Sequence, residues 1–229
     1  MPNKIPKWES RFWSYLSNGD GMHCPLYRRC PLRKSDKAWC ADDNREVFTQ
    51  LLDSDSSYDS LNYSCLRYSR NNSWGLFKFV EKLANMQLNR AKVRSVPVPT
   101  ELVFQVDEQH PVEVQLLPIK SCHGVLWRKR GWVIQLRADD SPAVRRLTLF
   151  HEAFHILAHS RTTPVFCKRG IQRGSYNEML ADYFAICILM PRKEMKEKWS
   201  EINDLDVMTG VFGVPKSAML YRLTELGLI

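Results

Sequence analysis

Residues 151 to 159 read HEAFHILAH and hold three of the chain's six histidines. Positions four apart on a helix lie about 40° apart around the axis and one turn along it. The imidazoles of His151 and His155 can therefore converge on one metal ion, in the His-Glu-x-x-His arrangement found around hydrolytic zinc. Glu152 then points beside the metal, where it could take a proton from water and deliver it to a leaving amine. The plainer alternative is a helix with capping or surface histidines.

Catalytic zinc takes three protein ligands and leaves one position open. His159 cannot be the third, because eight residues of helix place it about 12 Å along the axis from His151. It is left either to hydrogen bond near the site or to cap the helix end as a partial cation. A histidine ten residues after the first, with a glycine at the bend, is also missing, since Ala158 and Arg161 stand there. The stretch NEMLADYFA offers Glu178 and Asp182 one turn apart. Glu178 would complete the ligand set, and Asp182 could accept the second N–H of His151 and fix its tautomer. The plainer reading of that pair is an acidic helix face. Asn177-Glu178-x-x-x-Asp182 resembles the second signature of thermolysin-like peptidases, in which that glutamate is a ligand. Tyr176, Tyr183 and His123 are alternative donors to a transition-state oxyanion.

The surrounding elements must position these groups. Leu76, Phe79, Val80, Leu83 and Met86 predict an amphipathic helix, broken by the prolines of VPVPTELVFQV, where Thr100 could cap a short helix. VEVQLL (112–117), HGVLWR (123–128) and GWVIQLR (131–137) predict a small antiparallel sheet, and the last strand could pair with an extended peptide. From Ser141 a capped start with Pro142 in its first turn leads into the motif helix, with apolar residues at 147, 150, 154 and 157. YNEMLADYFAICILMP predicts a second helix ended by its proline, and the tail predicts two short helices joined around Gly213 and Pro215. Sheet, helix, helix and tail make an α+β plan.

The chain has 229 residues, 44% of them hydrophobic, enough for one substantial core and a small second module. The longest apolar run, YFAICILM at 183–190, is too short to span a bilayer, and MPNKIPKWESRFW lacks the apolar core of a secretory signal. A cytoplasmic protein without membrane contact is expected. The net charge of +8, from 33 Lys plus Arg against 25 Asp plus Glu, permits nucleic acid or acidic partners without requiring either. A Ser/Asp-rich stretch at 51–64 reads as a linker or exposed loop within the N-terminal third, and the chain divides into a cysteine-containing, basic, aromatic-rich region, residues 1–70, and the remaining 71–229.

Seven cysteines is an odd number, more suited to thiols or metal ligands than to disulfides. Cys24, Cys30, Cys40 and Cys65 could bind a second, structural metal or an iron–sulfur cluster as a redox sensor, or stand as separate thiols. Arg28, Arg29, Arg33, Lys34 and Trp39 could touch nucleic acid, or form a solvated basic face.

RRLTLFHEAFHILAH, NEMLADYFAICILMP and VFGVPKSAMLYRLTELGLI, in this order, together resemble the ImmA/IrrE family of zinc metallopeptidases over roughly residues 75–229. The resemblance implies a zincin-like domain over 71–229 with a helical tail at 200–229. It also implies one zinc, or manganese in its place, on His151, His155 and Glu178, with Glu152 as catalytic base. Members of the family cleave intracellular partners, often helix-turn-helix repressors or antitoxins, so a substrate of that kind is implied. Phe154 replaces the family's common glycine and could narrow the pocket, and Leu180 stands where many members carry an acid. The alternative is a DNA-binding or metal-sensing regulator with a noncatalytic zincin domain.

Overall fold

The computed structural model describes residues 74–120, 122–128, 130–159 and 176–229. The stretch at 51–64, the boundary near residue 70, the basic cluster at 28–34 and Cys24, Cys30, Cys40 and Cys65 lie outside the described residues, as do the side chains of His159 and Tyr176.

Helix α1, Trp74–Arg90, buries Phe77, Val80, Leu83, Ala84 and Leu88, with Leu76, Phe79 and Met86 half-buried beside them. A short 3-10 helix, Thr100–Gln105, follows the prolines. Thr100 does not cap it: Pro99 holds the N-cap position and no side chain caps the turn.

Strands β1 (Val112–Leu117), β2 (Gly124–Arg128) and β3 (Trp132–Arg137) lie in the order β1-β3-β2. β2 and β3 form the expected antiparallel hairpin, with Leu126 opposite Ile134. β1, however, pairs with β3 in parallel, from Val112 opposite Trp132 to Leu117 opposite Arg137. The sheet is therefore mixed, not antiparallel. The segment between β1 and β2 carries β2 one strand position away, and the hairpin then folds β3 back into the gap, opposite in direction to β2 and so parallel to β1. Trp132, Ile134 and Leu136 alternate toward the core, as the two-residue period of a strand requires.

Helix α2, Pro142–His159, starts where Ser141 Oγ accepts from the Val144 N–H at 3.3 Å. Its Leu147, Phe150, Phe154 and Leu157 are buried. Helix α3, Tyr176–Leu189, packs against both α1 and α2 and is buried at every position from Met179 onward, so it is apolar nearly all round. Phe154 lies in this helix interface with its ring 5.6 Å from that of Phe184. It fills the core between α2 and α3 and does not narrow a pocket; Leu180 is likewise buried.

Pro191 then begins α4, Arg192–Ile202, followed by α5, Leu205–Phe212, and α6, Lys216–Leu226. The last two are the expected tail helices. α4 was not expected, because its surface is so polar that only Met195, Trp199 and Ile202 mark its inner face. Gly213, at φ 63°, ends α5 in the left-handed conformation that favours glycine.

A buried ionic network ties these helices together. Arg222, fully buried, donates from Nε to the Met190 carbonyl (3.0 Å), from Nη1 to Glu225 Oε2 (2.6 Å) and from Nη2 to Glu81 Oε1 (2.9 Å). Arg192 donates to both oxygens of Glu81, and the Tyr183 hydroxyl donates to Glu225 Oε1 at 2.9 Å. α1, α3, α4 and α6 are thus joined by four charged side chains and one hydroxyl, which holds α3 in place. The architecture is α+β, and no described helix is long and apolar enough to cross a membrane.

Candidate metal centre

α2 and α3 pack side by side, and at their interface the polar residues of both helices meet. His151 Nε2 lies 3.2 Å from His155 Nε2 and 3.2 Å from Glu178 Oε2, while His155 Nε2 lies 3.3 Å from Glu178 Oε1. Four-residue spacing on α2 supplies the two imidazoles, and the second residue after the start of α3 supplies the carboxylate across the gap. Among the described residues these three form the cluster able to offer ligand atoms to one metal ion.

The spacing fits such an ion. Bonds of about 2.0–2.1 Å in a tetrahedron set ligand atoms roughly 3.3–3.4 Å apart, close to the separation of the two imidazole nitrogens and to the distance from each nitrogen to its nearer Glu178 oxygen. Two imidazole nitrogens and a carboxylate oxygen also suit zinc chemically. The His151 and His155 side chains are 13% exposed and Glu178 is 22% exposed, so the cluster can be reached from solvent.

On the far side of the His151 ring, Nδ1 lies 2.6 Å from Asp182 Oδ1. Asp182 is buried and one turn beyond Glu178 on α3, as the sequence spacing anticipates. Burial disfavours the His151 imidazolium, but the Asp182 and Glu178 carboxylates outweigh it and push the ring well above its ordinary pKa. Glu178 shows the converse: burial would raise it, yet His155 and His151 hold it far below the usual carboxylate range. Asp182 is raised, because burial outweighs the attraction of His151. The two carboxylates thus favour a protonated His151, and a divalent ion bound there would compete with that proton.

Glu152 is buried beside the cluster, and burial raises its carboxyl against the pull of His151 and His155. It sits under the sheet. A Cβ built on Gly124, the first residue of β2, would stand 3.1 Å from Glu152 Oε1.

The remaining candidates are separated. Tyr183 is buried with its hydroxyl on Glu225, in the ionic network, so it is not the donor the sequence offered. His123 lies next to Gly124, with Nδ1 2.7 Å from Asp140 Oδ2. Strand β3, expected to accept an extended peptide, is the central strand with both edges paired and can accept none. The edge nearest α2 belongs to β2. Sequence reasoning missed Gly124 and Asp140; an isolated glycine opening a strand was the signal for a close approach at the first, and no local pattern marked the second.

Comparison with known proteins fits this geometry. The IrrE N-terminal-like domain, described as a peptidase family, matches residues 107–224, just over half of the chain. The matched span includes all three strands and both helices of the cluster. Among solved structures, a transcriptional regulator of Mycobacterium tuberculosis aligns with a TM-score of 0.50 at 15% identity. The alignment covers 77% of this chain and 51% of that one, so this chain spans about half the length of its structural relative. At that identity the likeness is one of fold. No curated protein matches. With its IrrE N-terminal-like domain spanning the helix pair that carries His151, His155 and Glu178, the chain belongs to the ImmA/IrrE peptidase family.

Proposed function

We propose that this protein is a zinc-dependent endopeptidase in which His151, His155 and Glu178 hold the metal and Glu152 is the catalytic base. The observation that carries the reading is the convergence of two imidazole nitrogens and the Glu178 carboxylate, each nitrogen 3.2 to 3.3 Å from a carboxylate oxygen and the nitrogens 3.2 Å apart, with Glu152 on the same helix as the two histidines. A zinc ion there, or manganese in its place, would polarise a substrate carbonyl and make water a nucleophile near neutral pH.

The chain's own groups supply the rest. Asp182 holds His151 in the tautomer that leaves Nε2 as its ligand atom. Glu152 accepts a proton from the attacking water and returns it to the leaving amine, a role that a carboxyl raised by burial suits. An extended peptide docks on the outer edge of β2, which no strand among the described residues pairs with. Arg137 N donates to the His123 carbonyl, so hydrogen-bonded pairs alternate from residue 123, and Gly124, Leu126 and Arg128 turn their backbone groups outward. Such docking fits a polypeptide substrate.

The substrate we favour is an intracellular regulatory protein, a helix-turn-helix repressor or antitoxin, met in the cytoplasm. The alternative is a DNA-binding regulator using the basic N-terminal region, which lies outside the described residues, or the helical tail; at α6 of that tail the charges count against it. Lys216 pairs with Asp206 at 2.6 Å, Arg222 is buried in the ionic network, and Leu220 is exposed between them. A major-groove reader needs free cations on that face.

The test is to incubate the zinc-loaded protein with a panel of purified helix-turn-helix repressors and map any cut by mass spectrometry. A single metal-dependent cut, abolished by chelation and restored by zinc, is the expected result. Full zinc loading with no cut, together with retarded DNA, would transfer the assignment to the regulator reading.

A further inference from the structure

Gly124 opens the edge strand β2 opposite Leu136, with the Cβ direction of the position turned down onto α2. A Cβ there would lie 2.6 Å from Thr148 Cγ2, 3.1 Å from Glu152 Oε1 and 3.6 Å from the Gln135 carbonyl. Backbone conformation is not the reason for glycine: the left-handed glycines among the described residues are Gly213 and Gly227, whereas Gly124 is extended. Space is the reason.

The two neighbours would yield differently. Thr148 is buried and its hydroxyl donates to the Val144 carbonyl at 3.0 Å, so its methyl can retreat only if the helix moves. Glu152 has three side-chain torsions and would retreat by turning its carboxyl. It is buried beside His151 and His155, so such a turn would move the carboxyl from where it now rests.

We propose that Gly124 is a positioning residue for Glu152: the bare Cα of the strand forms the roof of the niche that aims the Glu152 carboxyl. The inference rests on the peptidase reading, in which that aim matters. A side chain at 124 shifts the base without touching the metal ligands.

The test is Gly124→Ala placed in a Thr148→Ser background. Serine removes the methyl that causes the 2.6 Å contact and keeps the hydroxyl for Val144, leaving Glu152 as the remaining close neighbour. Zinc-loaded full-length Thr148→Ser and the double variant are compared by elemental analysis, melting temperature, calorimetric binding of acetohydroxamate and turnover of a quenched fluorogenic peptide taken from a mixture. Acetohydroxamate reports on the site without a substrate, because it binds zinc and hydrogen bonds to a neighbouring carboxylate. The expected result is one zinc per chain in both, similar melting, kcat and hydroxamate affinity each lowered about tenfold or more in the double variant, and an unchanged KM.

Equal kcat and equal hydroxamate affinity in the two proteins would overturn the inference. Loss of zinc or of the folded state in the double variant would also overturn it, by assigning Gly124 to packing. Glu152→Gln, run alongside, separates the two ideas. If it keeps full turnover the peptidase reading falls, and if it is inactive while the double variant is unimpaired only the role of Gly124 falls.

Discussion

Asp182 Oδ1 lies 2.6 Å from His151 Nδ1, on the opposite side of the ring from the nitrogen that meets His155 and Glu178. One carboxylate thus orients the ring, and in the proposed function the other nitrogen is offered to a metal. The cost of losing such a partner is about 10- to 100-fold in metal affinity. Asp182→Asn should therefore weaken zinc binding by that order, measured by competition with a chromophoric chelator, while far-ultraviolet circular dichroism is unchanged. Unchanged affinity would reduce Asp182 to a packing residue.

Zinc binding should also release protons. Asp182 and Glu178 push the metal-free His151 ring well above its ordinary pKa, so metal must displace that proton to bind. Apparent zinc affinity should then fall as pH is lowered, with proton release detected by calorimetry in buffers of different ionisation enthalpy. Glu178→Ala removes one ligand and should leave a chain that purifies with little zinc. Proton-neutral binding, or full zinc content in Glu178→Ala, would place the ion elsewhere.

The position of Glu178 and Asp182 was legible in the sequence because a helix has a fixed period: residues four apart share a face wherever the helix packs. The same holds for His151 and His155. Strand order is not a local property, and nothing within GWVIQLR states that β1 joins its other edge and closes it to substrate. Tyr183 was indistinguishable from Tyr176 as a donor until α6 brought Glu225 to its hydroxyl from 42 residues away. Phe154 faces α3 rather than a cavity because position 154 continues the buried row of 147, 150 and 157, a periodicity that itself argued for the core.

Substrate docking on β2 predicts a backbone effect. Leu126 turns its N–H away from β3, so proline there removes an outward donor without breaking a ladder bond. Leu126→Pro should raise KM about tenfold over Leu126→Ala, which controls for the lost packing of the half-buried side chain. Equal KM values would mean that substrate does not pair along this strand.

The ionic network makes a stability prediction. Removing Arg222 would leave Glu81 and Glu225 facing each other without their buried cation, a loss on the order of 3–5 kcal/mol. Arg222→Ala should show this in chemical denaturation, and lysine should rescue little, because Arg222 bonds three groups in different directions. Burial would raise the Glu81 carboxyl, but Arg222 and Arg192 outweigh it and hold it below its ordinary value of 4.5. A lowered folded-state pKa stabilises above the unfolded value, so this contribution is present above about pH 4.5 and is lost as pH falls through the lowered value. Glu81→Gln should lose less stability than the wild type over that acidic range.

The central claim is that Glu152 performs chemistry beside a metal held by His151, His155 and Glu178. It is tested most directly by the turnover of one peptide or repressor substrate by wild type and Glu152→Gln at matched zinc content. We predict one zinc per chain in both and a rate lower by roughly 10²- to 10⁴-fold in the variant. A Glu152→Gln protein that cuts at the wild-type rate would contradict the claim.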